Sequence, residues 1–103
     1  MKCKINTNIT AEAYAILGEP LMVPYALMGT VELAELVASN ILKSDILLLE
    51  NHGVLATGSN LLQAFDKIEV LESAAKMTLI VETTKKKNPL SKPRILEIEK
   101  FFR

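Results

Sequence analysis

The run Asp45-Ile46-Leu47-Leu48-Leu49-Glu50-Asn51-His52-Gly53-Val54-Leu55-Ala56 constrains the fold more than any other part of this sequence. Its four consecutive aliphatic residues are too few for a buried helix and are apolar on both faces, as a central strand covered above and below requires. Asn51-His52-Gly53 interrupts the run with turn-forming residues. Val54-Leu55-Ala56 resumes it until Thr57-Gly58-Ser59-Asn60 breaks it again. The expectation is two short strands joined by a tight connection that carries a histidine.

Helical signals surround this pair. Thr10 can cap a short helix over residues 11–17 by accepting from a free first-turn amide, and Gly18 can stop it. Leu21, Met22 and Val23 read as a brief strand, which Pro24 marks as an edge or an end because proline has no N–H for the ladder. Thr30 opens a second helix in which Val31, Ala34, Val37, Ala38 and Ile41 recur at helical spacing, with Glu32 near its positive end. Ser59 or Asn60 caps a long third helix whose Leu61, Ala64, Phe65, Ile68, Leu71, Ala75, Thr78 and Leu79 are expected to form one buried face. Lys85, Lys86 and Lys87 offset the negative end of that helix before Asn88-Pro89. Beyond Ser91-Lys92-Pro93, Ile95, Ile98 and Phe102 share one side of a last helix, while Glu97, Glu99 and Lys100 are expected to stay wet. Strands interleaved with helices predict an α/β layered sandwich with a mixed, partly antiparallel sheet, covered by the helices that start at Thr30 and Asn60.

At 103 residues, half of them apolar, the chain supports one domain with a real core and not two. Twelve basic and twelve acidic residues cancel, so no global field favours nucleic acid or an anionic membrane. The start, Met-Lys-Cys-Lys, has no apolar signal-peptide core, and no apolar run approaches the length of a bilayer span. The single cysteine, Cys3, excludes an internal disulfide and a cysteine-rich zinc ribbon. It fits a reducing compartment, so the cytoplasm is the default location.

His52 is the only histidine, and Gly53 after it lets the backbone turn so that an imidazole can project from a strand end. A catalytic zinc takes about three protein ligands and an open position, which one histidine does not supply. Taken alone, a histidine beside glycine is more often a hydrogen-bonded turn residue than a ligand. Tyr25 has a phenol that can donate to a substrate, but beside Pro24 it reads as a packed residue. Asp45 and Glu50 bracket the central strand and read as solvated strand-end charges before any role as a base or as a partner of a metal ligand. Glu69 and Glu72 belong to the polar face of the long helix, and Lys85 to Lys87 to a solvated helix cap. Gly53 and Gly58 form no phosphate loop, since neither GxGxxG nor a Walker sequence is present.

The order of blocks carries more than any one of them. Val23-Pro24-Tyr25-Ala26, Gly29-Thr30-Val31-Glu32-Leu33-Ala34, Leu47 to Val54 around Asn51-His52-Gly53, and Leu61 to Ala75 together resemble the class II aldolase and adducin family. The resemblance runs from about Ala11 to Ala75 and continues loosely to Phe102. It implies that His52 is the last of three zinc-binding histidines. It also implies a zinc that polarises the carbonyl of a ketose phosphate and stabilises the enediolate of reversible aldol cleavage. The implied partners are a small-molecule sugar phosphate and further subunits of a homo-oligomer.

The departures matter equally. The family's His-x-His pair, its catalytic acidic residue and its phosphate-binding loop have no counterpart in this sequence, and the tyrosine that some sugar-phosphate aldolases carry on a C-terminal tail is also absent. The expectation is that residues 1–103 form a single partial domain, the C-terminal part of a class II aldolase-like domain. Such a chain lacks aldolase activity alone and leaves open whether it is an enzyme. The alternatives are a non-catalytic structural or oligomerisation module of the same fold, or one half of a split enzyme whose partner supplies the N-terminal half.

Overall fold

In the computed structural model, which describes residues 4–103, the hydrophobic run forms the middle of a sheet. Strand β2 (Ile46–Leu49) lies between β1 (Leu21–Val23), which is parallel to it, and β3 (Gly53–Ala56), which is antiparallel. The register pairs Leu47 with Leu21 on one side and with Leu55 on the other. Four helices complete the α/β fold: α1 (Ala11–Leu17), α2 (Val31–Asn40), α3 (Leu61–Thr84) and α4 (Lys92–Phe102).

Short polar caps set the helix starts. Thr10, Thr30 and Asn60 each accept a hydrogen bond from the backbone N–H three residues on, satisfying one of the amides that a helix leaves free. Gly18 ends α1 with φ 64°, a backbone conformation that favours glycine.

The core lies between the sheet and α1 and α3. Ile46 and Leu48 point into it and meet Ile5, Ala13, Leu17, Leu71 and Ala74. Val23 and Leu47 point to the opposite face and are fully buried as well, so β2 is covered on both faces as its unbroken apolar run requires.

Two expected helix faces are displaced. In α3 the buried row is Lys67, Leu71, Ala74 and Thr78, while Leu61, Phe65, Ile68 and Leu79 remain exposed. These two rows are separated by roughly a third of a turn of the helix, so a sequence window merges them into one face. In α2, which packs against β1, no residue is fully buried and Val31 is open to solvent.

The last helix docks on the first. Ile98 is buried, Phe102 is exposed, and Glu99, exposed as expected, also accepts a 2.7 Å hydrogen bond from the Tyr14 hydroxyl. Arg103 completes the contact by donating to the carbonyls of Ala15 and Ile16 at the end of α1.

That hydrogen bond to Glu99 raises the pKa of Tyr14, with burial and the charges of Glu99 and Glu19 adding to it and Arg103 opposing. A phenol whose folded pKa is raised stabilises fully below its unfolded value of about 10 and loses that contribution as pH rises through the folded value. The thermal midpoint of the native chain is therefore expected to fall more steeply above about pH 10 than that of Tyr14→Phe, which is itself about 1 kcal/mol less stable at neutral pH. Parallel pH profiles for the two proteins would show that the Tyr14 proton is not linked to folding.

Candidate functional site

His52 occupies the connection between β2 and β3. Because Leu49 pairs with Gly53, the connection is Glu50, Asn51 and His52. Asn51 adopts the left-handed conformation (φ 62°), which asparagine tolerates better than most residues. The His52 N–H closes the turn on the Leu49 carbonyl at 2.9 Å, and the Glu50 N–H bonds the Val23 carbonyl at 3.0 Å, tying the turn to the end of β1.

The segment that leaves β1 then fixes the imidazole. Nε2 of His52 lies 2.6 Å from the carbonyl oxygen of buried Ala26. A carbonyl only accepts, so Nε2 carries a proton, and the tautomer with a free lone pair has it on Nδ1. The Tyr25 ring stacks on the imidazole, with centroids 5.3 Å apart and planes 10° from parallel. Tyr25 is half exposed and not the packed residue that its place beside Pro24 suggested; its one aromatic contact among the described residues is with the candidate ligand. Nothing in the local sequence signals that contact, since the two rings come from separate loops.

The other candidates separate by position. Glu50 lines a 280 Å³ groove with His52, Met22, Leu48 and Val54. Asp45 stands at the far end of β2, about 13 Å away at 3.3 Å per residue, and is no partner of the imidazole. It pairs instead with Lys67 at 3.4 Å and Arg103 at 3.1 Å, and Lys67 also donates to the Thr57 carbonyl at 2.8 Å. This buried lysine escaped the sequence reading, because its place in the row Lys67, Leu71, Ala74, Thr78 emerges only once the helix is packed on the sheet. Glu72 pairs with Lys76 across one helical turn, Glu69 is exposed, and Lys85 to Lys87 lie exposed at the end of α3 with Lys87 beside Glu82. Cys3 lies outside the described residues.

The zinc implied by the resemblance can be tested against this donor set. Among the described residues no group of three histidine, cysteine, aspartate or glutamate side chains comes together. His52 offers one lone pair, so these residues do not form a three-ligand zinc site by themselves.

Residues 1–79 match the family described as the Class II Aldolase and Adducin N-terminal domain. The chain belongs to this class II aldolase and adducin family. Over 72 residues this class II aldolase-family chain is 44% identical to the L-fuculose phosphate aldolase of Methanococcus vannielii, a match covering 70% of the chain and 39% of the relative. It is 38% identical over 68 residues to the 3-oxo-tetronate 4-phosphate decarboxylase of Haemophilus influenzae, covering 66% of the chain and 32% of that protein. Among solved structures, an L-fuculose 1-phosphate aldolase superposes with a TM-score of 0.74 at 34% identity, over 84% of this chain and 42% of the other. YgbL from Klebsiella pneumoniae superposes with a TM-score of 0.82 at 26% identity, over 89% of this chain and 44% of the other. The chain therefore spans less than half the length of these relatives. Among the described residues no helix is long and apolar enough to cross a membrane.

Proposed function

We propose that residues 1–103 are the C-terminal part of a cytoplasmic class II aldolase-like domain, and that His52 contributes one metal-ligand position to a site whose other groups lie outside this chain. The observation that carries this reading is the pairing of 44% identity with coverage of only 39% of the Methanococcus vannielii relative. The described residues supply one candidate ligand and no group of three metal-ligating side chains, so no reaction step is assigned to the chain alone. In the completed domain the substrate class is a sugar phosphate, as the names of the aldolase relatives suggest, and the reaction is reversible aldol cleavage. His52 has the support that a ligand needs. Its Nε2–H is held by the Ala26 carbonyl and its ring by Tyr25, which fixes the tautomer and the direction of Nδ1.

Elemental analysis tests this. The purified chain is expected to hold well under one zinc per molecule, and assembly with the missing part of the domain to raise this to one, lost again in His52→Ala. Tight stoichiometric zinc on the chain alone that persists in His52→Ala would sink the assignment of His52. A non-catalytic module that works through self-association is the second reading, favoured by the apolar side chains that α3 leaves exposed. It predicts dimers in light scattering at micromolar concentration, where the first reading predicts a monomer until the complementary part is added.

A further inference from the structure

We infer that the cleft enclosed by α1, α3 and α4 is a binding site separate from the His52 turn, and that it takes a neutral, polyhydroxylated ligand of monosaccharide size. The inference does not rest on the reading of His52, because the cleft and the turn lie at opposite ends of β2.

The cleft is built from residues that only the fold brings together. It measures about 600 Å³, within the roughly 300–1,000 Å³ of small-molecule pockets. Asp45 just before β2, Gln63, Asp66 and Lys67 from the first turns of α3, and Phe102 and Arg103 at the end of α4 line it.

The charges of this wall cancel, two carboxylates against two cations, so it has no net field for a phosphate or an ammonium ion. Both cations are already engaged. Lys67 donates to the Thr57 carbonyl at 2.8 Å and pairs with Asp45 at 3.4 Å. Arg103 donates to the carbonyls of Ala15 and Ile16 and to Asp45 at 3.1 Å. Both cations reach the same Asp45 oxygen, Oδ2, so an incoming anion would have to displace that carboxylate. The pairing holds Asp45 in one orientation, and its Oδ1 accepts no hydrogen bond among the described residues.

The groups left open are a mixture of acceptors, donors and one apolar ring. Asp66 is exposed, and a carboxylate accepts through both oxygens. Gln63 Oε1 accepts from the Ser59 N–H at 2.6 Å and from its hydroxyl at 3.1 Å, which fixes the amide and leaves the NH₂ group to donate. The Phe102 ring, 74% exposed, adds an apolar face. A sugar hydroxyl both donates and accepts, and the C–H face of a sugar ring packs on the negative face of an aromatic ring. A neutral sugar therefore has a partner for every open group. A phosphate would meet Asp66 and the free oxygen of Asp45 with like charge, and a small amine would leave the Gln63 donors unpaired.

Titration of the 103-residue chain with D-glucose, L-fucose and D-ribose, followed through backbone amide chemical shifts, tests the site. At least one of the three is expected to saturate with a dissociation constant on the order of 1 mM. It should move the amides of Gln63, Asp66, Lys67 and Phe102 and leave those of Asn51 to Gly53 in place. Asp66→Ala and Phe102→Ala are each expected to weaken this binding by about tenfold, whereas Leu27→Ala, on the loop after β1, leaves it unchanged. Both Asp66 and Phe102 are exposed, so the variants should fold, and thermal melts check that they do. The inference is overturned if no sugar gives a saturable shift, if the shifts centre on the His52 turn, or if both cleft variants bind as the native chain does. Inorganic phosphate that moves the same amides at lower concentration than any of the sugars would overturn it as well, because the cleft would then select charge.

Discussion

Replacing Leu47 by alanine is expected to destabilise the chain by about 3–5 kcal/mol, the upper part of the range for truncating a fully buried leucine. Leu47 is fully buried in the central strand and paired with Leu21 and Leu55 on its two sides, so the neighbours cannot close over the lost volume without shifting the sheet. Domains of this size are stable by only about 5–15 kcal/mol, and a substantial unfolded fraction at 37 °C is the expected phenotype. Urea titration checks this as a lower midpoint with an unchanged slope. Leu42→Ala is the control, because Leu42 is 96% exposed and its loss should stay within about 0.5 kcal/mol. A similar small shift for Leu47→Ala would show that the sheet is not packed on both faces.

The second large effect belongs to the charged group at the other end of β2. Asp45→Ala is expected to cost about 2–3 kcal/mol, less than the roughly 3–5 of a fully buried pair broken on one side, because the Asp45 side chain keeps 40% of its exposure. The loss comes from Lys67, whose side chain is only 11% exposed and would keep the Thr57 carbonyl as its remaining partner, and from Arg103, which loses the same carboxylate. Lys67→Met should cost less than Asp45→Ala, since it keeps an apolar stem in the core row and removes the ammonium that needs solvation. The ranking can be read from urea midpoints of the two single variants and the double variant. Should Lys67→Met prove the more damaging, desolvation of the lysine is not what the pair offsets.

These two sites also show where the sequence was informative. Leu47 was legible because four adjacent aliphatic residues leave no polar face, and the His-bearing turn was legible because Asn51 and Gly53 bracket it. The caps at Thr10, Thr30 and Asn60 are local chemistry and could be read directly. Lys67 was not legible, because a lysine in a helix reads as solvent-facing until the carboxylate from β2 is placed beside it. The buried face of α3 was misplaced for a related reason. Apolar residues occupy two rows of that helix, and only the tertiary contacts reveal which row meets the sheet. At the candidate site, periodicity and blocks in order located His52, whereas the Tyr25 stack and the Ala26 carbonyl depend on two loops meeting across 26 residues of chain.

The contact between the first and last helices has a kinetic consequence. The bond from Tyr14 to Glu99 joins residues 85 apart, and those from Arg103 to α1 join residues 87 and 88 apart, whereas β2 and β3 meet across a three-residue turn. Closing so long a loop costs more chain entropy than closing a hairpin, so the sheet's central pair is expected to form early and the seating of α4 late. A protease cut in the exposed 86–89 link would remove the covalent tether but not the contact. The severed helix would remain as a bound peptide whose release rate measures how firmly the ends of the chain hold each other.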